Sequence, residues 1–408
     1  MWEKDIDINQ VMEIRTKSTV YLGVGAINKI NDISAELKSK GISNVLVVTG
    51  KSSYKITGAW DYVEKALNSN GINYAIYDKV TPNPTADQVD EAKTAGMAIN
   101  AQAVIAIGGG SPIDAGKSAA ILLKYTDKNC RELYEGKFVP ETAVPVITIN
   151  LTHGTGTEAD RFAVVSFPEN EYKPAIGYDC IYPMYSIDDP ALMTKLPANQ
   201  TLYVTIDALN HVIESSTTIT ASPFSILTAK EAVRLIKNHL PTAMKNPEDL
   251  TARYYLLYAS LIAGISFDNG LLHFTHALEH PLSGMKPELA HGLGLAMILP
   301  AVIKAIYPAK SNILADLLEP IISDLEGTPD EAEEAACKIE KWLFSLGVTS
   351  KLQDEGFSDA DIANLTRLTM ETPSLSGLLS LAPINATEDI ISQIYRESLT
   401  ACSTAVSH

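Results

Sequence analysis

Short β-branched apolar runs alternate with longer amphipathic stretches over the first 190 residues. STVYLG (18–23) precedes GVGAINKINDISAELKSKG, whose apolar positions recur at helical spacing. NVLVVTG (44–50) and NYAIYDKV (73–80) each lead into another such stretch, and AVIAIGGG and AVPVITIN (143–150) complete the set. Strand-like runs separated by ten-to-fifteen-residue helical patterns predict an α/β fold whose parallel, Rossmann-like sheet is covered on both faces. From SIDDPALMTKLP onward the strand pattern fades. TAKEAVRLIKNHL, LTARYYLLYASLIAGI and TPDEAEEAACKIEKWLFSLG carry apolar residues at helical spacing and stop at Gly or Pro. The pattern predicts an α/β domain over 1–190 and an all-α domain over 191–408. Without a repeat or low-complexity linker between them, the junction should be a compact hinge.

A length of 408 residues exceeds what one core usually supports, in keeping with two domains. The 46% hydrophobic and 20% charged content is ordinary for a globular chain. Charge changes the picture more. Thirty-two Lys+Arg against 49 Asp+Glu give −17, which opposes nucleic acid or an anionic membrane as partner. Any anionic cofactor must then be held by local dipoles. Cys130, Cys180, Cys337 and Cys402 are scattered without a CxxC pair and read as reduced cytosolic thiols, not as a disulfide or zinc framework. The opening MWEKDIDINQ lacks the apolar core of a signal peptide. The longest strongly apolar stretch, around LLYASLIAGISF, is too short to span a bilayer. A cytoplasmic protein is expected.

AVIAIGGGSPIDAGKSAA (103–120) resembles an ATP phosphate loop only superficially. Four residues must separate the first glycine from Gly-Lys-Ser, but Ser111 stands where that glycine belongs, and Pro112 removes an amide. Gly109, Gly110 and Ser111 do follow a strand and open a helix, which suits a pyrophosphate on the helix N-terminus; a tight turn without ligand is the plainer alternative. The GxGxxG fingerprint is absent, since Gly23-Val24-Gly25 lacks its third glycine. A second turn, LTHGTGTEAD (151–160), offers the hydroxyls of Thr152, Thr155 and Thr157, with Gly154 and Gly156 leaving the backbone accessible. Two such turns at successive strand ends favour a dinucleotide-binding α/β domain. At the end of NVLVVTG stand Gly50, Lys51, Ser52 and Ser53, with no acid to repel a ribose 2′-phosphate. NADP(H) is therefore expected over NAD(H), against the plainer reading of a strand-to-helix turn.

Five of the eight histidines fall in two clusters. TIDALNHVIES sets Asp207 and His211 four apart on one helix face, and HFTHALEHPLSGMKPELAHGLG supplies His273, His276, His280 and His291. Pro287 implies a turn, so that His291 starts the next helix. A single HxxxH is more often core or surface than ligand. Together, however, Asp207, His211, His276 and His291 can converge from three helices on one divalent ion, a donor set suited to a Lewis acid. His153 and His239 look incidental, and His408 ends a tail without pattern.

The ordered combination of the GxGA turn, PNPT (82–85), GGGSPIDAGK (108–117), HGTGTEADRFAV (153–164), DP (189–190) and the histidine cluster resembles the iron-containing (group III) alcohol dehydrogenases over nearly the whole chain. The resemblance implies a dehydroquinate synthase-like architecture: a dinucleotide-binding domain followed by a helical metal-binding one. It puts metal ligands at Asp207, His211, His276 and His291, and a histidine beside the nicotinamide, acting in the proton relay, at His280. It puts the pyrophosphate loop at Gly109, Gly110 and Ser111, with Asp114 in the following turn. Thr152 and Thr155 match the second nucleotide turn, Lys173 matches a lysine near the ribose, and a glycine at Gly50 goes with NADP. The implied activity is reversible hydride transfer between a small primary alcohol or diol and NADP(H), with Fe²⁺ (Zn²⁺ in some relatives) polarising the substrate oxygen, in a homodimer or larger assembly.

Four positions depart from the family pattern: the His276–His291 spacing is one residue longer, His273 replaces a small residue, Glu279 stands where alanine is common, and Leu151 where threonine is frequent. Competing readings are a zinc-dependent glycerol or polyol dehydrogenase using NAD, an oxygen-activating iron enzyme, a non-catalytic nucleotide-binding module, and a dehydroquinate synthase-like lyase. The lyase needs a basic pocket, and the metal-site region HALEHPLSGMKPELAHG offers only Lys286.

Overall fold

The five strand patterns fold into a sheet with one member more than they predict. A computed structural model describes residues 2–402, so the tail ending in His408 lies outside the described residues. The strands are β1 (Thr19–Leu22), β2 (Asn44–Gly50), β3 (Asn73–Val80), β4 (Ala103–Gly108), β5 (Val146–Asn150), β6 (Phe162–Val164), β7 (Ala175–Gly177) and β8 (Tyr185–Asp188). Six form a parallel sheet in the order β1-β8-β5-β4-β2-β3, while β6 and β7 make a separate antiparallel pair. The unforeseen β8 lies inside the sheet between β1 and β5. Its four residues, YSID, follow Pro183-Met184 and run into Asp189-Pro190, too short and too polar to stand out from sequence.

Six helices cover this sheet: α1 (Lys29–Ser39), α2 (Ser53–Ile56), α3 (Ala59–Ser69), α4 (Ala86–Ala98), α5 (Gly110–Leu122) and α6 (Cys130–Tyr134). Burial on both faces explains why the strands read as unbroken apolar runs. Along β2, Leu46 and Val48 enter one core with Val104 and Ala119, while Val45 and Val47 enter the other with Ile105 and Ile147. The PNPT motif has a local cause: Thr85 accepts from the Gln88 amide and caps α4.

The remaining helices are α7 (Ala198–Thr217), α8 (Pro223–Lys245), α9 (Leu250–Gly270), α10 (Phe274–Met285), α11 (His291–Leu318), α12 (Ala332–Ser345), α13 (Ile362–Glu371), α14 (Leu375–Leu379) and α15 (Glu388–Glu397). The most apolar long helix is α11, not the LLYASLIAGISF stretch of α9. Among the described residues α11 is the one single helix long and apolar enough to cross a membrane, yet 78% of its apolar window is buried inside the protein. Ile298, Leu299, Val302 and Ile306 place it at the centre of the helical core.

Two expectations are corrected here. Cys337 on α12 and Cys402 form a disulfide, with their Cα atoms 5.7 Å apart, so only Cys130 and Cys180 remain thiols. A separation of 65 residues leaves no spacing signal for such a pair. His153 is no incidental residue either. It is fully buried after β5, where its Nδ1 donates to Thr205 Oγ1 (3.1 Å) and its Nε2 accepts from Arg253 Nη1 (2.9 Å). Thr205 Oγ1 itself donates to the Thr201 carbonyl, which settles the neutral tautomer. Arg253 also bonds Thr201 Oγ1 and the carbonyls of Leu196 and Pro247, with no carboxylate partner among the described residues. This hub ties the turn after β5 to α7 and α9.

Candidate metal and coenzyme site

α7 carries Asp207 and His211 on one face, α10 carries His276, and α11 begins at His291. The Nε2 atoms of His211, His276 and His291 lie 3.4, 3.3 and 3.8 Å from Asp207 Oδ1. Donor atoms about 2.0–2.2 Å from a tetrahedral ion lie roughly 3.3–3.6 Å apart, so these spacings fit one shared dication. Among the described residues, donor atoms of Asp207, His276 and His291 all lie within 4.8 Å of one another, and His211, close to Asp207, falls outside that set.

Electrostatics point the same way. Burial alone would raise the Asp207 carboxyl, but the three imidazoles around it hold it well below the usual carboxylate range. Burial lowers His211 to about 4 against the pull of Asp207. At His276 burial is outweighed by Glu214 and Asp207, which raise it to about 10. A concentrated negative potential therefore faces these rings, and a dication competes for the same lone pairs.

Sequence reasoning missed the acids behind the cradle. Glu214 on α7 accepts the backbone amides of His273 (2.9 Å), Thr275 (2.9 Å) and His276 (3.3 Å), and the Nδ1 of His276. One carboxylate thus caps α10 and turns His276 Nε2 toward Asp207. Glu279 plays the corresponding part for His291 Nδ1. The sequence signal was an acid three residues after a cradle histidine, at His211–Glu214 and His276–Glu279, the second already marked as a departure from the family pattern. His211 Nδ1 has no partner among the described residues; its ring stacks on Phe267 and on His276, each at 4.6 Å.

His280 follows Glu279, with its ring 5.9 Å from that of His291. Its Nδ1 donates to the Lys173 carbonyl (2.7 Å), leaving Nε2 as the accepting nitrogen. Burial and the Lys173 ammonium push its pKa well below the ordinary value, so the ring is neutral at pH 7. The Lys173 ammonium itself is buried against Glu279 Oε2 (3.4 Å) and His291 Nδ1 (3.3 Å), engaged at the cradle instead of open to a ribose.

The nucleotide turns occupy neighbouring strand ends, because β4 pairs with both β2 and β5. Gly109 caps α5, and its two glycines face the second turn: a Cβ at Gly109 would come within 2.8 Å of Thr152 Cγ2, and one at Gly110 within 2.6 Å of Thr155 Cγ2. Ser111, Thr152 and Thr155 remain partly exposed beside this contact. Gly154 and Gly156 serve packing, not access. A Cβ at Gly154 would sit 2.4 Å from the Val204 carbonyl, and one at Gly156 (φ +67°) 2.4 Å from Gly264 Cα. Asp114 is spent internally, accepting from Thr157 Oγ1 (2.8 Å) and the Val164 amide (2.9 Å), and burial raises it to about 6. Lys117 is likewise committed, to Thr157, Asp160 and the Phe162 carbonyl. Gly50 ends β2, followed by exposed Lys51, Ser52 and Ser53.

Comparison with known proteins agrees with this architecture. The family description "Iron-containing alcohol dehydrogenase" matches residues 17–190, and "Fe-containing alcohol dehydrogenase family, C-terminal" matches residues 201–399. The chain is 63% identical over 398 residues to the long-chain primary alcohol dehydrogenase AdhA of Thermoanaerobacter ethanolicus, covering 98% of this chain and 100% of that protein. It is 32% identical to the NAD-dependent methanol dehydrogenase of Bacillus methanolicus, covering 93% and 97%. The crystal structure of NADH-dependent butanol dehydrogenase A from Thermotoga maritima superposes with a TM-score of 0.87 at 26% identity, covering 96% and 99%. A parallel sheet with two glycine turns, a helical half bearing one Asp and three His, and matches across both halves lead to one conclusion: the chain belongs to the iron-containing alcohol dehydrogenase family.

Proposed function

We propose that the protein catalyses reversible hydride transfer between a primary alcohol and NADP(H), with Fe²⁺ held by Asp207, His211, His276 and His291 between an α/β part (1–190) and a helical part (191–408). The observation that carries the reading is the convergence of three imidazole Nε2 atoms on one carboxylate oxygen. A bound dication supplies a Lewis acid that stabilises negative charge developing on the substrate oxygen. Around it the side chains divide the work. His280, fixed through the Lys173 carbonyl, keeps Nε2 free to take the hydroxyl proton or return it. Gly109, Gly110 and Ser111 at the start of α5, with Thr152 and Thr155, would hold the pyrophosphate of the coenzyme. Gly50, Lys51, Ser52 and Ser53 leave the ribose end without a carboxylate and with one cation, which favours a 2′-phosphate. An aliphatic primary alcohol as substrate rests on the similarity to AdhA. A homodimer is carried over from the family resemblance.

The test joins metal analysis of anaerobically purified protein to NADP⁺- and NAD⁺-linked oxidation of primary alcohols of increasing chain length. About one iron per chain is expected, with turnover lost on chelation and restored by Fe²⁺. Full activity in protein stripped of metal would overturn the reading.

A further inference from the structure

We propose that Glu279 is a positioning residue for the metal centre, holding the His291 ring with Nδ1 protonated and Nε2 turned toward Asp207. The proposal rests on the reading of Asp207, His211, His276 and His291 as a dication cradle. Of those four side chains His291 is the least enclosed, 25% exposed against 7% or less for the others. It is also the first residue of α11, where no preceding helical turn restrains the ring. Something else must hold it. Glu279 is fully buried on α10 and bonds His291 Nδ1, the nitrogen that faces away from Asp207.

The surroundings are shaped for this carboxylate. Ser283 Oγ donates to Oε1 from one turn further along α10, and Lys173 Nζ lies 3.4 Å from Oε2. On α11 the facing residue is Gly294, where a Cβ would come within 2.9 Å of both Glu279 Cγ and Oε1. A buried carboxylate without partners is costly, and here two donors, one cation and a missing side chain accommodate it. Glu279, His280 and His291 also lie close enough to qualify as an ion site of their own. Lys173 decides against that: its ammonium already donates to Glu279 Oε2 at 3.4 Å, so the cation there is a side chain. Glu279 thus stands behind His291 as Glu214 stands behind His276, while His211 Nδ1 has no such partner among the described residues.

The experiment compares Glu279→Gln, which keeps an acceptor for Nδ1–H, with Glu279→Ala, which removes it. Apo protein is loaded with Co²⁺ alone, and its affinity is read by chelator competition and its site by the visible absorption of the bound ion. Loss of an outer partner of a metal-bound histidine typically weakens metal binding ~10–100-fold, the loss expected for Glu279→Ala, with an altered Co²⁺ spectrum and partial rescue by Glu279→Gln. Unchanged Co²⁺ affinity and spectrum in Glu279→Ala would overturn the proposal, even if the apo protein were less stable. Should unpaired Lys173 prevent folding, Glu279→Ala/Lys173→Met removes both charges and is judged by the same readings. Wild-type protein that binds no Co²⁺ would instead overturn the cradle itself.

Discussion

His276 and His280 sit one helical turn apart on α10 and are set to different tasks by what their Nδ1 atoms meet. Glu214 makes His276 an electron-rich donor aimed at Asp207, while a neutral carbonyl leaves His280 a modest base. His276→Ala should therefore lose metal and activity together, with ion affinity down more than ~100-fold, since a ligand matters at least as much as its outer partner. His280→Ala should keep its iron and lose ~10²–10⁴ in turnover, the usual contribution of a positioned acid–base group. Metal analysis beside kcat separates the two, and a His280→Ala protein without iron would contradict the assignment. A second prediction concerns Gly50. Its φ is not left-handed, and a Cβ there would meet the Val80 carbonyl only at 3.4 Å, so an aspartate fits. Gly50→Asp should lower kcat/KM for NADPH relative to NADH at least ~10-fold, because a carboxylate near a 2′-phosphate repels it by a few kcal/mol at an effective dielectric near 20. Unchanged discrimination would sink the 2′-phosphate argument. The pairings Asp207/His211 and His276/His280 on single helix faces were legible in the sequence, because residues four apart share a face, and the structure brings His211, His276 and His291 around Asp207. The carboxylates behind the cradle and the engagement of Lys173 were not legible, since these join residues 62 (Glu214–His276) and 106 (Lys173–Glu279) positions apart.

At the scale of elements, the turn after β5 is locked to α7 and α9 by the Arg253–His153–Thr205 chain and by glycines that let backbones touch. Burial, reinforced by Arg253, lowers His153 to about 3, whereas an unfolded-chain histidine titrates near 6.5. Between those values the unfolded chain binds a proton that the native state refuses. This contribution is fully present above pH 6.5 and is lost as pH falls toward 3, at up to about 1.4 kcal/mol per pH unit. His153→Gln should thus be less stable than wild type at pH 7 but lose roughly 2 kcal/mol less on going to pH 5, read from urea unfolding at matched metal content. Parallel pH profiles would mean that His153 takes up its proton in the folded state. Strand and helix periodicity revealed most elements. It missed β8 because four residues between prolines carry too little pattern, and it took LLYASLIAGISF in place of α11 because Pro300 and Pro308 break up the longer apolar run.

For the whole molecule, the Cys337–Cys402 bond closes a loop across 65 residues and ties the described end of the chain to α12. In the chain-entropy account a loop of that length stabilises the fold by about 4 kcal/mol. Reductant, or Cys402→Ser, should lower the thermal midpoint by several degrees, and Cys402→Ser should no longer respond to reductant. An unchanged midpoint in both would show that the bond contributes nothing to stability. The sequence by itself determined the fold class, the helical half and the family resemblance, and it put forward Asp207, His211, His276 and His291 as one group, because periodicity, motif order and i, i+4 spacing are local properties of the chain. Only the tertiary structure decided the disulfide, the place of β8, the His153 hub and the acids behind the cradle histidines. Each of these is a contact between distant segments, and burial sets its energy; neither the distance nor the burial exists until the chain has folded.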